Sequence, residues 1–365
     1  MTLSTGTPES SAVTSLHRQF DAKLRPSQDR RNNYDVADDI NVSSMPEVRD
    51  AVRTLFLGTY PQAAFDRIWL AFHDFERLFT GRFPGFHGCD TTYHDVQHTL
   101  DMTLAVARLL AGYESTATEA LRLGPARAEL AIIISLFHDA GYIRHAENDA
   151  EVRNGAEFTR VHVSRSAEFL RDYLMRIGLG DQIEIASQLV HFTGYEIDLR
   201  RLQVANPKDI RSGCIIGTGD LLAQMADRCY LEKCRDRLYE EFVIGGVATQ
   251  TNSEGKTKMM YASGEDLLRK TPEFFQSGAR KRLDQEFDRT YRFIEPLFDG
   301  KNPYIEAINR NIRYLQCVID TNNWAGLRRD PPVYVGEEDS SESMRVMVAE
   351  IRESFGDEDS SQQVA

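Results

Sequence analysis

The sequence lacks the features of an exported, disulfide-bonded or membrane-spanning protein. Its 365 residues include only five cysteines and no C-x-x-C pair, which favours reduced thiols over a disulfide framework. The N-terminal stretch MTLSTGTPESSAVTSLHRQF has no basic start followed by an apolar run, as a secretory signal would. The most apolar stretch, AELAIIISLF, is too short to cross a bilayer. These absences predict a cytoplasmic protein with no membrane partner.

Positive charge is also scarce. Lys and Arg number 43 against 56 Asp and Glu, which gives a formal net charge of −13. Because contacts to nucleic-acid phosphates need a basic face, this composition argues against a nucleic-acid partner. The hydrophobic fraction of 41% is sufficient for a sizeable core.

The pattern of residues divides the chain into three regions. Residues 1–45 are polar with little apolar periodicity, which predicts a disordered N-terminal arm. Residues 46–325 carry apolar residues at helical spacing, which predicts one all-α domain of roughly ten or more helices. Residues 326–365 predict an acidic linker, one short helix (MRVMVAEIRESF) and a tail. Within the domain, the Gly-rich and Thr-rich segment 243–266 predicts a long loop or small hairpin, a frequent form of lid.

The stretch TTYHDVQHTLD places His94 and His98 four residues apart. On a helix these positions share one face, so both imidazoles could point into one cavity. Spacing alone leaves two interpretations open, a metal site and a pair of ordinary surface or core histidines.

Two further stretches carry acidic residues that suit metal binding. SLFHDAGY places His138 and Asp139 directly after an apolar run, where a buried charged pair needs a partner. The pair could form a hydrogen bond in the core or supply nitrogen and oxygen ligands to a metal. In GTGDLLAQMADR, Asp220 follows two glycines at the predicted start of a long helix, where Asp is commonly only an N-cap.

The order H…HD…D of these residues resembles the metal-binding signature of the HD phosphohydrolase superfamily. YHDVQHTLDM is also similar to the Y-H-N-x-x-H-A-x-D-V motif of class I cyclic-nucleotide phosphodiesterases, with Asp95 replacing Asn and Thr99 replacing Ala. Further along, DRLYEEF matches that family's D-R-x-x-E-E-F. The resemblance implies that the predicted domain 46–325 is an all-α catalytic domain of HD type.

The resemblance also implies two divalent metal ions, Mg²⁺ or Mn²⁺, with Zn²⁺ or Fe²⁺ as further options at the His/Asp site. The implied ligands are His98, His138, Asp139 and Asp220, with Asp139 bridging the two ions. By the same resemblance, His94 is not a ligand. It is the general acid that protonates the leaving oxygen, while a hydroxide shared by the metals attacks phosphorus.

Three residues are candidates for the surroundings of these ions. His162 and His191 follow Asp139 in an order similar to the HD branch in which two extra histidines bind the second metal. Polar core positions are the alternative for both histidines. Asp101 is a candidate to orient a ligand histidine through a hydrogen bond, and a solvated helix position is its alternative.

The base pocket of the cyclic-nucleotide phosphodiesterases is not retained. Counting back from Pro296, the positions of that family's purine-binding Gln and Phe clamp are Glu286 and Arg289 here. Phe293 is a candidate replacement for the clamp. The candidate substrate-binding residues are Tyr93, Gln224, Glu286, Arg289 and Phe293.

These features favour a metal-dependent phosphohydrolase that cleaves a phosphodiester bond, with a cyclic nucleotide as the leading small-molecule substrate. An HD-type nucleotidase, acting on a phosphomonoester or a nucleoside polyphosphate, is the alternative. A non-catalytic nucleotide-binding regulator is a third interpretation, which the retained His94 argues against. The oligomeric state stays open, a homodimer included.

Overall fold

The computed structural model describes residues 30–251, 256–332, 334 and 340–361, and these residues are mainly helical. The described residues form twelve α-helices, in agreement with the predicted all-α class. The helices are α1 (Met45–Thr59), α2 (Asp66–Phe79), α3 (Val96–Thr116), α4 (Pro125–Phe137), α5 (His162–Arg176), α6 (Ile183–Leu189), α7 (Pro207–Ala226), α8 (Tyr230–Lys233), α9 (Tyr239–Ile244), α10 (Gly264–Phe274), α11 (Pro303–Thr321) and α12 (Ser340–Ser361).

Shorter helical segments join several of these helices. Three π-helical segments cover Cys234–Leu238, Phe275–Ala279 and Arg282–Glu286. The 3-10 segments are Ala140–Tyr142, Gly155–Phe158, Gly180–Gln182, Val190–Phe192, Leu199–Arg201, Thr290–Leu297 and Trp324–Gly326. Strands β1 (Thr249–Thr251) and β2 (Thr257–Met259) pair antiparallel, so the segment predicted as a loop or hairpin contains a hairpin.

Helix α3 forms the centre of the fold. All its residues from Gln97 to Glu114 are buried. Helices α1, α4 and α7 pack around it, together with the 3-10 segment Thr290–Leu297. Helices α3 and α7 carry His98 and Asp220, and α4 leads into His138, so the most buried part of the protein positions the candidate site.

Helix α3 begins after His94, which differs from the prediction. Asp95 is the N-cap, and its carboxylate accepts a hydrogen bond from the backbone N–H of His98 at 3.0 Å. His94 therefore precedes the helix and does not share a helical face with His98. Their rings still meet at right angles, with centroids 5.9 Å apart.

Asp220 lies within helix α7, so the predicted helix start at this residue is wrong. The helix begins at Pro207, with Asn206 as its N-cap. The neighbouring glycine is needed for packing, because a Cβ at Gly219 would lie 2.4 Å from Cγ2 of Val106 in α3. Gly219 therefore allows the two helices to approach closely, and an N-cap role for Asp220 is excluded.

The predicted disordered arm extends too far along the chain. Residues 30–44 are packed against the domain, with Ala37 and Val42 buried. The buried carboxylate of Asp35 pairs with Arg108 of α3 at 2.5 Å, which anchors this irregular segment without apolar periodicity. The rest of the predicted arm, residues 1–29, lies outside the described residues.

Helix α12 contains the predicted short C-terminal helix and extends it at both ends. It packs against α9, with Met344 and Met347 buried, and Glu350 pairs with Arg153 at 2.7 Å. Most of the predicted acidic linker lies outside the described residues. Among the helices described, none is both long enough and apolar enough to cross a membrane.

Candidate metal centre and cavity

Three buried side chains direct their ligand atoms toward one another. Nε2 of His138 lies 3.4 Å from Nε2 of His98 and 3.0 Å from Oδ2 of Asp139. Nε2 of His98 lies 3.6 Å from the same carboxylate oxygen. One ligand atom from each residue lies within 4.8 Å of the others, and these atoms could hold one metal ion.

Asp220 joins this group from helix α7. Its Oδ1 lies 3.3 Å from Nε2 of His98 and 4.0 Å from Nε2 of His138. The structure therefore brings together the four side chains that the sequence grouped, which supply two imidazole nitrogens and two carboxylates.

The end of helix α4 fixes the orientation of His138. Its Nδ1 donates a hydrogen bond to the carbonyl oxygen of Ser135 at 2.8 Å. This bond leaves Nε2 as the nitrogen that faces the cluster and could bind a metal ion.

A close contact of backbones brings helix α5 to the cluster. After Asp139 the chain makes the 3-10 turn Ala140–Tyr142, which packs against α5. A Cβ at Gly141 would lie 1.9 Å from the carbonyl oxygen of His162, so only glycine allows this approach. As a result, the first residue of α5 lies beside the His-Asp pair.

The charge distribution of the cluster fits a cation. Asp139 is 2% exposed, and its Oδ2 lacks a hydrogen bond of acceptable geometry. Burial raises the pKa of Asp139, but His138 and the other imidazoles nearby outweigh it and hold the pKa well below its usual value. A buried, ionised carboxylate with an unused acceptor atom beside two imidazoles suits a divalent metal ion.

His162 faces the second oxygen of Asp139. Its Nε2 lies 3.8 Å from Asp139 Oδ1, and its Nδ1 donates to the carbonyl oxygen of Thr159 at 2.8 Å. Burial lowers the pKa of His162, which favours the neutral, metal-binding imidazole. The two oxygens of Asp139 thus face different imidazoles.

His191 is buried in the 3-10 segment Val190–Phe192, and its Nδ1 has no hydrogen-bond partner. Within the described part of the chain, we find no ion pair between His191 and the four grouped ligands. Burial lowers the pKa of His191, and the nearby Glu196 acts in the opposite direction without cancelling the effect. Its role as a ligand stays a prediction.

His94 forms a buried pair with Glu241 of helix α9. Nδ1 of His94 lies 2.5 Å from Oε2 of Glu241, whose side chain is fully buried. The other oxygen of Glu241 accepts hydrogen bonds from the backbone N–H groups of Tyr93 at 2.6 Å and His94 at 3.4 Å. Burial lowers the pKa of His94, but Glu241 and other carboxylates nearby raise it to about 9. The pair leaves Nε2 of His94 as the nitrogen not engaged by Glu241.

The ring of Tyr142 packs against two of these imidazoles. Its centroid lies 4.5 Å from that of His94 and 4.4 Å from that of His162, and the two imidazole centroids lie 5.9 Å apart. Tyr142 is 2% exposed, so the three rings pack together within the core.

A cavity of about 510 Å³ opens over the cluster. Its lining includes His94, Gln224 and all the metal-ligand candidates except His191. The outer end has a largely apolar wall formed by Tyr195, Leu238, Phe242, Tyr261, Leu267 and Phe274.

The predicted substrate contacts are only partly placed at this cavity. Gln224 lines it, one helical turn after Asp220. Tyr93 lies beneath the cluster, in a small buried pocket that it shares with His98.

Three predicted contacts lie outside the cavity lining. Phe293 packs on Tyr113 of α3, with ring centroids 4.8 Å apart, roughly 20 Å along that helix from His98. Glu286 and Arg289 are exposed, and Glu286 lies 3.5 Å from Arg282. The count of residues back from Pro296 did not locate cavity residues, because the segment before Pro296 is not a continuous α-helix. It contains two π-helical segments and two left-handed residues at 288 and 289.

Asp101 is buried one turn after His98, so its solvated alternative is excluded. Its Oδ1 has no hydrogen-bond partner. Burial raises the pKa of Asp101 to about 7, with Asp227 and Asp35 adding to the effect. This carboxyl group borders the same small pocket as His98, but the described contacts include no hydrogen bond from it to a ligand histidine, so its orienting role stays a prediction.

One comparison with known proteins gives a match. A family model described as Npun_R2479-like matches residues 84–312, more than half of the chain. The chain belongs to the Npun_R2479-like family. Searches of curated proteins and of solved structures find no match. In this Npun_R2479-like protein, the matched segment includes every side chain of the cluster and the Glu241 that pairs with His94.

Sequence reasoning missed three residues of the site in this Npun_R2479-like protein. Glu241 was matched in the DRLYEEF stretch without a role. Tyr142, in the HDAGY stretch, was not expected to pack against two of the histidines. Glu196 lines the cavity and caps the start of α5, accepting from the N–H of Val163 at 2.7 Å. Of these three residues, only Glu241 could have been found from the sequence, because it matches an acidic position in the D-R-x-x-E-E-F motif.

Proposed function

We propose that this protein is a metal-dependent phosphohydrolase of HD type that cleaves a phosphodiester bond, with a cyclic nucleotide as the first candidate substrate. The observation that carries the proposal is the buried His94–Glu241 pair, which lies beside a converging set of two imidazoles and two carboxylates in an open cavity. A structural cluster would not need a separate histidine held by its own carboxylate at the cavity wall.

The residues suit the demands of the reaction. Hydrolysis of a phosphodiester needs a nucleophile, neutralisation of charge on the phosphoryl oxygens and a proton for the leaving oxygen. Divalent ions, when bound, would supply the Lewis acidity and a coordinated water of lowered pKa. His98, His138, Asp139 and Asp220 would hold them, with His162 near the second position. We expect Mg²⁺ or Mn²⁺, and Zn²⁺ or Fe²⁺ also suits the nitrogen-rich position.

His94 would carry the proton transfer. Glu241 engages Nδ1 and so fixes the ring, which leaves Nε2 to hold a proton for the leaving group. In the reaction, a water molecule loses one proton to solvent and its oxygen bonds to phosphorus while the phosphorus bond to the leaving oxygen breaks. Nε2 gives its proton to that oxygen, and solvent restores the proton afterwards.

The test is hydrolysis of a substrate panel with Mg²⁺ or Mn²⁺ by the native protein, Asp139→Ala and His94→Ala. The panel contains cyclic AMP, cyclic GMP, cyclic dinucleotides, bis-p-nitrophenyl phosphate and nucleoside mono- and triphosphates. We expect diester cleavage that disappears in Asp139→Ala, and cleavage of the cyclic nucleotides and cyclic dinucleotides that falls strongly in His94→Ala. Turnover of monoesters or polyphosphates alone would contradict the diester assignment and favour a nucleotidase. No turnover with bound metal would favour a nucleotide-binding regulator.

A further inference from the structure

The outer end of the cavity has an unusual pair of exposed aromatic rings. Tyr195 is 61% exposed and Phe274 is 41% exposed, and both line the cavity. Their ring centroids lie 6.4 Å apart at an angle of 62°. Single exposed apolar side chains are common, but an adjacent aromatic pair at the mouth of a cavity indicates a binding surface.

Tyr195 is held in place from behind. The guanidinium group of Arg282 lies 4.4 Å from the centroid of its ring. Arg282 is itself 4% exposed and donates to the carbonyl oxygen of Phe192 at 3.1 Å. A ring stacked on a buried cation loses little conformational freedom when a ligand binds.

The wall continues inward from this pair with further apolar surface. Phe242 and Tyr261 pack with ring centroids 5.9 Å apart, and Leu238 and Leu267 complete this part of the lining. A flat group attached to a phosphate at the metal cluster would therefore meet ring faces and aliphatic side chains.

The charged residues of the wall are already engaged by the protein. Lys270 donates to the carbonyl oxygen of Met260 at 2.5 Å and to Asp266 at 2.8 Å. Arg160 donates to the carbonyl oxygens of Gly246 and Thr249. These cations hold the backbone on either side of the hairpin rather than facing the cavity unpaired.

Among the described residues that line the cavity, Glu196 is the one carboxylate outside the metal cluster, and its oxygens are also bound by the protein. Both oxygens of Glu196 accept hydrogen bonds from the start of helix α5, including one from Ser164 Oγ at 2.6 Å. Discrimination between nucleobases relies on amide or charged groups that pair with two base atoms at once. Gln224, one helical turn after Asp220, also borders the small buried pocket of Tyr93 and His98.

We infer that Tyr195 and Phe274 form a stacking site for a flat aromatic group on a phosphodiester substrate, and that this site reads ring faces rather than base edges. This inference rests on the proposed function and specifies its substrate class. The substrate is a phosphodiester that carries a nucleobase or another planar aromatic group, with little selectivity among bases.

The test compares two diesters that share the p-nitrophenolate leaving group, naphthyl p-nitrophenyl phosphate and methyl p-nitrophenyl phosphate, in Mn²⁺. We expect the native protein to favour the naphthyl diester in kcat/KM by about tenfold, the scale of one stacked ring. This preference falls by at least about fivefold in Tyr195→Ala and in Phe274→Ala, and Tyr195→Phe restores it. Trp69→Ala, which removes an exposed aromatic ring outside the cavity lining, is the matched control and keeps the preference.

Selectivity among bases supplies the second readout. We expect kcat/KM for cyclic AMP and cyclic GMP to differ by less than about fivefold, below the effect of one good bidentate contact. Equal turnover of the two p-nitrophenyl diesters, a preference that survives both alanine substitutions, or strong selectivity for one base overturns the stacking site alone. No turnover of either p-nitrophenyl diester overturns the proposed function, and the stacking site with it.

Discussion

Replacement of His94 by alanine should slow hydrolysis in proportion to how badly the leaving group needs a proton. The ribose oxygen that leaves a cyclic nucleotide departs as a poorly stabilised alkoxide unless it is protonated. A p-nitrophenolate departs readily without a proton. If Nε2 of His94 supplies that proton, the substitution should damage the first reaction far more than the second.

The magnitude follows from how firmly the imidazole is held. Positioned general acids typically contribute about 10² to 10⁴ in rate. His94 is placed by Glu241 at 2.5 Å and by stacking on Tyr142, so the upper part of this range applies. We expect His94→Ala to lower kcat/KM for cyclic AMP by about 10³-fold and for bis-p-nitrophenyl phosphate by less than about tenfold.

The substitution should leave the local fold intact. Glu241 keeps its hydrogen bond from the backbone N–H of Tyr93 at 2.6 Å after the imidazole is removed. His73→Ala is a suitable control, because that side chain is 59% exposed on helix α2. Glu241→Gln should give an intermediate loss on cyclic AMP, since the amide can still contact the ring but carries no charge.

The assay measures kcat/KM for both diesters at one pH and one Mn²⁺ concentration. Equal losses on the two substrates would refute a proton-donor role, because a purely structural effect does not depend on the leaving group. If the native protein hydrolyses neither substrate, the proposed function itself is refuted.

Three further predictions concern the surroundings of the cluster. Burial raises the folded-state pKa of Asp101 to about 7 from 3.8, so the free energy of unfolding falls as pH rises between these two values. Asp101→Asn should therefore raise the free energy of unfolding in urea by up to about 4 kcal/mol at pH 8 and by less at pH 5. Equal gains at both pH values would contradict this linkage. Gly141→Ala places a methyl group 1.9 Å from the carbonyl oxygen of His162 and should cost about 3 kcal/mol or more in the same assay, whereas Gly180→Ala meets only the Met175 side chain and should cost little. His162→Ala should lower bound metal from two ions to one per chain by elemental analysis, and retention of two ions would exclude it as a ligand.

The burial of the His138–Asp139 pair could be predicted from local sequence, whereas its grouping with His98 was predicted from the H…HD…D order alone. The apolar run before His138 predicts a buried helix, and helix α4 ends directly before the pair. Asp220 was grouped correctly, but its place on a helix was misjudged. Glycines near a carboxylate suggested a helix start, whereas Gly219 allows the close contact between α3 and α7, and Gly217 lies against Phe192 and Phe287.

The remaining parts of the site depend on contacts between distant segments. Glu241 reaches His94 only because α9 packs near the start of α3, which no local pattern in either segment reveals. Phe293 was misplaced for a related reason. A residue count along a predicted helix loses its meaning where π-helical and left-handed residues change the direction of the chain.

The most direct test of the central claim is a Mn²⁺ titration of metal-stripped protein, with bound Mn²⁺ and hydrolysis of bis-p-nitrophenyl phosphate measured in the same samples. We expect two ions to bind per chain, activity to rise with their binding, and Asp139→Asn to lose both. Hydrolysis by the stripped protein, or binding of Mn²⁺ that is unaffected in Asp139→Asn, would contradict a metal centre built on His98, His138, Asp139 and Asp220.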